Sequence, residues 1–256
     1  MKTKDKLIEK KRYDLSAMKL QKNSEQVQNE IWGKNKSYSS FLKYYLKSPY
    51  EFFEECIESY VSEGSIALEI GSGTGNFTGQ VANRVRSVIA SDISTISLEV
   101  SSKRHENFNN IEYKEADMEN LPFQDGTFDI IFSAGSMSYG DVTLVKQEVH
   151  RTLKKGGLFI CVDSLNNNPI YRVRRLIAFL IGGRSKSTLK NMPTINKIGE
   201  LEQEFICLEK KFFGSMSWVL ALFPNISFTQ SLSDKIDKIL KCKKSAFKFV
   251  IVLKKK

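Results

Sequence analysis

The sequence predicts an α/β fold in which a parallel sheet is covered by helices on both faces. Two observations carry that expectation. Short apolar runs alternate with helical stretches over residues 65–163, joined by short connections, and a glycine-rich loop follows directly on the first of those runs. The chain has 256 residues, 41% apolar and 27% charged, enough for one large core with a small appendage.

Residues 1–40 read as an N-terminal arm or lid. They are polar, with eight Lys/Arg among the first 22 positions, and Trp32 and Tyr38 stand where a lid would close over a site. The main domain spans 41–256. After a break at Pro49, Phe52, Phe53, Cys56, Ile57, Tyr60 and Val61 recur at helical steps up to Gly64. Ser65 to Ile70 is the first strand, with a helix from about Asn76. Val88 to Ser91, Ile111 to Lys114 and Phe128 to Ser133 are further strands, with a helix over Ser94 to His105. The stripe Val142, Val145, Val149, Leu153 is a helix expected to stop at Gly156-Gly157, ahead of a strand from Leu158 to Val162. A basic inserted segment follows at about 164–199, then a helix near 196–204 and strands over Phe205 to Phe213 and Ala246 to Leu253. The last two strands are too far apart for a hairpin, and both irregular segments are expected over the carboxyl ends of the sheet.

The net charge of +10 favours anionic partners without naming one. No apolar run approaches the ~18 residues of a spanning helix, and the basic N-terminus has no apolar core behind it, so a cytoplasmic protein is expected. Cys56, Cys161, Cys207 and Cys242 lack C-x-x-C spacing and read as small hydrophobes, not a disulfide or zinc framework. No acidic cluster has metal-ligand spacing.

The most informative stretch is Leu68 to Phe77, LEIGSGTGNF. Gly71, Gly73 and Gly75 let the backbone turn after the strand and approach a ligand closely. A dinucleotide fingerprint needs glycine at 76, where this chain has asparagine. Downstream, Asp92 closes the second strand, where a carboxylate accepts from the vicinal hydroxyls of a ribose. Asp117 follows the third strand, an acceptor for an exocyclic adenine amine beside the backbone amide of Met118.

LEIGSGTGNF, SDIS, EADMENLPF, DGTFDIIFSAGS and EVHRTLKKGGLFICVD, in that order, resemble the class I S-adenosylmethionine-dependent methyltransferases. The resemblance covers about residues 65–163. It implies a Rossmann-like sheet of seven strands, mostly parallel with a reversed last strand, and S-adenosylmethionine laid across the glycine loop. By position, Glu69 faces the methionine amino group through the loop, Asp92 with Ile93 the ribose, Asp117 with Met118 the adenine, and Ser133 the sulfonium.

For the acceptor, the loop SAGSMSYGD lacks the Asn/Asp-Pro-Pro-Tyr-like motif of amino-methyltransferases, which argues against nucleic acid despite the charge. That loop, with DSLNNNPIYRVRR, KSTLKNMPT and FFG, resembles methyltransferases of bacterial surface-polysaccharide synthesis, implying O-methylation of a small molecule or a lipid-linked saccharide. Asp163 is the expected base, with Tyr139 and Ser136 orienting the substrate. Arg172, Arg174, Arg175, Arg184, Lys186, Lys190 and Lys197, interleaved with Leu176, Ile177, Phe179, Leu180 and Ile181, give the composition of a helix lying on a membrane surface or gripping a diphosphate. LPFQDGTFDIIF and EVHRTLKKGG also resemble ubiquinone and menaquinone methyltransferases, so a quinone or lipid acceptor is the alternative. A protein that binds the cofactor without catalysis is the rival from another class. The sequence does not specify an oligomeric state.

Overall fold

The computed structural model describes residues 3–22, 40–180, 185–216, 226–240 and 243–256. Seven strands form one sheet: β1 (Ile66–Ile70), β2 (Ser87–Asp92), β3 (Ile111–Glu115), β4 (Phe128–Ala134), β5 (Leu153–Ser164), β6 (Phe205–Phe213) and β7 (Lys248–Lys255). Their order is β3-β2-β1-β4-β5-β7-β6. The first five are parallel, and β7 runs antiparallel to both β5 and β6. Strand direction of connection reverses between β1 and β4, the place where open α/β sheets bind ligands.

Side chains alternate across this sheet and fill two cores. Leu68, Ile70, Ile131, Phe159, Cys161, Phe249 and Ile251 face one side, against Val145 and Val149 of α5 (Val142–Thr152) and Ile198 and Leu201 of α8 (Ile195–Glu202). Ala67, Ile130, Phe132, Ile160, Val162, Val250 and Val252 face the other, against Phe53, Cys56 and Ile57 of α2 (Ser40–Tyr60) and Val81 of α3 (Thr78–Ala82). Burial on both faces is why the central strands read as unbroken apolar runs. The edge strand β6 exposes Lys210 and pairs it with Glu202, which blunts the edge.

Two expected boundaries move. Helix α2 runs straight through Pro49. A proline there removes one backbone donor, and the buried face of Phe53, Cys56 and Ile57 outweighs that loss. Helix α5 stops at Thr152, and Gly156 (φ 75°) and Gly157 lie inside β5, where a Cβ on Gly157 would stand 3.0 Å from the Asp129 carbonyl. Helix α4 (Thr95–Arg104) is capped by Ser94, whose Oγ accepts from Ser97 N at 3.0 Å.

The structure also explains why EADMENLPF and EVHRTL travel together. Arg151 donates to the carbonyls of Leu121 (3.0 Å) and Phe123 (2.7 Å) and to Asp125 (2.8 Å), while Glu148 accepts from Leu121 N at 2.7 Å. The loop after β3 is thereby pinned to α5, which fixes Asp117 and Met118 at the sheet's carboxyl edge.

The N-terminal segment is a helix, α1 (Thr3–Lys22), and the basic segment contains α6 (Pro169–Leu180) and α7 (Lys186–Asn191). Helix α9 (Ile226–Leu240) bridges β6 and β7. Trp32, Tyr38, Arg184, Ile181 and Cys242 lie outside the described residues.

Candidate active site

The sequence-predicted residues of the cofactor site fall at or just beyond the carboxyl ends of β1 to β4. Glu69 is buried near the end of β1, and its Oε2 accepts from Thr78 Oγ1 at 2.5 Å. Burial, reinforced by the charge of Asp92, pushes its carboxyl up to about 8. Asp92 ends β2 and accepts from Gly73 N and Ser94 N, both at 2.9 Å. Burial raises its carboxyl despite those amides and the amide of Ile93, which follows it. The carboxylate therefore shapes the glycine loop while keeping acceptor capacity on each oxygen.

The three glycines do different work. A Cβ on Gly71 would lie 2.3 Å from Ser136 Cβ, and one on Gly75 2.1 Å from Ser101 Oγ, so both are required by packing. Gly73 (φ 53°) has nothing within 4 Å of that position, so its left-handed backbone and not packing calls for glycine there. His105, at the end of α4, donates from Nε2 to the Gly75 carbonyl at 2.7 Å. Burial lowers its basicity, consistent with a neutral ring that braces the loop.

Asp117 is ion-paired with Lys6 of α1, and its Oδ1 accepts from Glu119 N at 3.0 Å. Met118 packs between the loop and the next turn: its Cε lies 3.4 Å from the Cβ position of Gly71, and its Sδ 3.0 Å from that of Gly140. Ser133 and Ser136 share a 2.6 Å hydroxyl contact, and Ser136 Oγ donates to the Ile70 carbonyl at 2.9 Å. The hydroxyl expected to orient substrate is thus committed to joining β1 to β4.

Asp163, the expected base, is buried at the end of β5 with one oxygen on Met137 N (2.8 Å) and the other on Ser164 N (2.5 Å). Burial raises its carboxyl, opposed first by the charge of Lys248. Tyr139 lies in the same short turn as Met137 and meets α1: its Oη accepts from Arg12 at 3.1 Å, and its ring stands edge-on to Tyr13 at 5.3 Å.

Helix α1 crosses this cleft. Besides the pairs to Asp117 and Tyr139, Lys6 pairs with Glu119 (2.6 Å), Lys10 with Glu115, and Asp14 accepts from Ser94 Oγ at 2.6 Å. Glu9 accepts from Ser185 N (2.9 Å) and Thr188 Oγ1 (2.7 Å), tying α1 to the basic segment. Sequence reasoning missed these contacts because α1 has almost no apolar face to mark its docking side. Lys248 was also missed; it is buried at the start of β7 and donates to Tyr50 Oη at 3.2 Å. Within the basic segment, Arg175 points inward and donates to the Leu165 carbonyl and Asn166 Oδ1, both at 2.8 Å, so it serves the fold and does not grip a diphosphate.

Residues 68–161 match the family model described as a methyltransferase domain. The demethylmenaquinone methyltransferase of Staphylococcus saprophyticus is 32% identical over 120 residues, 45% of this chain and 52% of its own length. A malonyl-[acyl-carrier protein] O-methyltransferase of a Marinomonas species is 33% identical over 104 residues, 39% of this chain and 38% of its own. The chain spans about half, or less, of the length of such relatives. Among solved structures, geranyl diphosphate C-methyltransferase of Streptomyces coelicolor superposes with a TM-score of 0.60 at 15% identity, covering 88% of this chain and 87% of that one. The YcgJ protein of Bacillus subtilis superposes with a TM-score of 0.58 at 19% identity, covering 81% and 98%. These two likenesses carry the methyltransferase fold. None of these relatives names a saccharide acceptor.

Proposed function

We propose that this chain is an S-adenosylmethionine-dependent methyltransferase acting on a quinone-type or other lipid acceptor. The observation that carries the cofactor is the placing of Glu69, Asp92 and Asp117 at the ends of three adjacent strands around one open glycine, Gly73. Those residues fit the group. A buried acid suits the amino group, a carboxylate with spare lone pairs suits the ribose hydroxyls, and Asp117 suits the adenine amine once Lys6 yields. When bound, the cofactor supplies an electrophilic methyl group on a sulfonium, so the protein has mainly to position the acceptor and exclude water.

The acceptor class follows the relatives, which act on demethylmenaquinone and malonyl-acyl carrier protein by name, and so favours a lipid or acyl acceptor over the saccharide expected from sequence. Helix α6 supports the same reading. Val173, Leu176, Ile177 and Leu180 are 49–71% exposed at one-face spacing, beside exposed Arg172, Lys186 and Lys190, and residues 164–199 contain no acid. That is the composition of an interfacial helix on an anionic bilayer. No helix among the described residues is long and apolar enough to cross a membrane. The reading also makes α1 a lid, held by the ion pairs of Lys6 and Lys10, the Asp14 hydrogen bond and the ring contact of Tyr13 with Tyr139.

The test is transfer of labelled methyl from S-adenosylmethionine to reduced demethylmenaquinone in phosphatidylglycerol vesicles, beside a lipid-linked saccharide. Label in the quinone product supports the reading, and label in the saccharide alone overturns the acceptor. Sedimentation with phosphatidylglycerol but not phosphatidylcholine vesicles, lost in Ile177→Asp, supports the α6 contact; sedimentation unchanged by Ile177→Asp contradicts it.

A further inference from the structure

One charged group lies beside the cofactor cleft and is not explained by it. Lys248 sits opposite Ser164 in the antiparallel register of β5 and β7 and is 3% exposed. An ammonium carries three donors. Among the described residues, that of Lys248 makes a single hydrogen bond, 3.2 Å to Tyr50 Oη, with the same ring centroid 4.8 Å away, and it forms no ion pair. The charged and titratable groups facing it are Asp163 and Cys161 of β5 and Arg175 of α6. Asp163 is already held by two backbone amides, and Arg175 is cationic. Burial pulls the amine down to about 8, the behaviour of a cation short of a counter-charge.

Its location is specific. Tyr50 Oη lies 3.6 Å from the Cβ position of Gly135, in the turn after β4 between Ser133, the residue expected to face the sulfonium, and Ser136. The Tyr50 ring is stacked on Phe77 of the glycine loop at 5.4 Å, which ties α2 to the cofactor site. We propose that Lys248 and Tyr50 form the acceptor-oxygen site, holding the ionised oxygen of a phenol or enol next to the methyl group to be transferred. The proposal rests on the methyltransferase reading and narrows its acceptor. The acceptor hydroxyl loses its proton to water, its electron pair stays on oxygen, and the Lys248 ammonium supplies the compensating charge without itself taking a proton. An aliphatic sugar hydroxyl would need a base instead, a role that the Lys248 ammonium does not supply.

The probe is 4-nitrophenol, whose phenolate alone absorbs visible light, titrated with pH in the presence of protein saturated with S-adenosylhomocysteine. The bound probe is expected to ionise about one pH unit below the free probe, a tenfold change in its acid constant. Lys248→Met should abolish the shift. Tyr50→Phe, which keeps the ring on Phe77, should reduce it. Calorimetry should give the same S-adenosylhomocysteine affinity in all three proteins. Absent binding, an unshifted midpoint, or a shift retained in Lys248→Met overturns the proposal; if Lys248→Met does not fold, a shift unchanged in Tyr50→Phe does so. Failure of the wild-type protein to bind S-adenosylhomocysteine removes the methyltransferase reading itself, whereas bound S-adenosylhomocysteine with an unshifted probe removes this inference alone.

Discussion

Replacing Glu69 with glutamine isolates the charge that the cofactor's amino group is proposed to meet. The carboxyl is buried, bonded to Thr78 at 2.5 Å and held at about 8 by desolvation. At pH 7 roughly nine in ten free molecules therefore carry a proton on it. An arriving ammonium favours the carboxylate and drives that proton off. Calorimetric titration at pH 7 in two buffers of different ionisation enthalpy should then report net proton release on cofactor binding. Glu69→Gln should weaken binding by about 1.5–3 kcal/mol, some 10- to 150-fold, because a hydrogen bond to a charged partner is replaced by a neutral one. Proton release from this site should vanish in the variant. The same carboxyl links stability to pH. Its value in the fold lies above the ordinary 4.5, so the neutral form favours folding; that contribution is complete below pH 4.5 and is lost as pH rises through about 8. Glu69→Gln should flatten this part of the stability profile. Equal affinity in a folded variant, or equal heats in both buffers for the wild type, would refute the assignment.

Three further outcomes follow from the same geometry. Asp92→Ala should weaken S-adenosylmethionine binding by about 1.5–3 kcal/mol, read by calorimetry, since it loses the ribose acceptor and the anchor of Gly73 N; unchanged affinity in a folded protein would remove the ribose role. Lys248→Met should lower methyl transfer in a protein that still folds, read by labelled-methyl transfer beside circular dichroism, because the buried ammonium bonded to Tyr50 is replaced by an apolar chain; unchanged transfer in a folded variant would contradict the acceptor role. Removing residues 1–22 should speed cofactor exchange in stopped-flow displacement, since Lys6, Arg12 and Asp14 hold α1 over the cleft; an unchanged rate would contradict the lid.

The sheet was legible because both of its faces are buried. LFICV and FVIVL are continuous apolar runs, IALEI and FDIIF are apolar but for one acid each, and β6 falls at the residues expected for it, Phe205 to Phe213. The cofactor acids were legible because each ends a strand, where the chain must turn and a carboxylate has no helical alternative. Other features lack a local signal. Pro49 reads as a break because its missing donor is visible in sequence, whereas the core that overrides it is not. Gly156 and Gly157 read as a helix stop, yet they admit the Asp129 backbone beside β5. Lys248 looks like a solubilising residue at a strand end; only the antiparallel placing of β7 against β5 buries it. Arg175 belongs to a basic run whose other members gave no hint that this one turns inward. Helix α1 was readable as a segment but not as a cover, since charges, not hydrophobic periodicity, dock it.

Calorimetric titration of the protein with S-adenosylmethionine, S-adenosylhomocysteine and NAD tests the central claim most directly. The account predicts binding of the first two and none of NAD, with release of a proton from Glu69 at pH 7. Binding of NAD alone, or of none of the three, would contradict it.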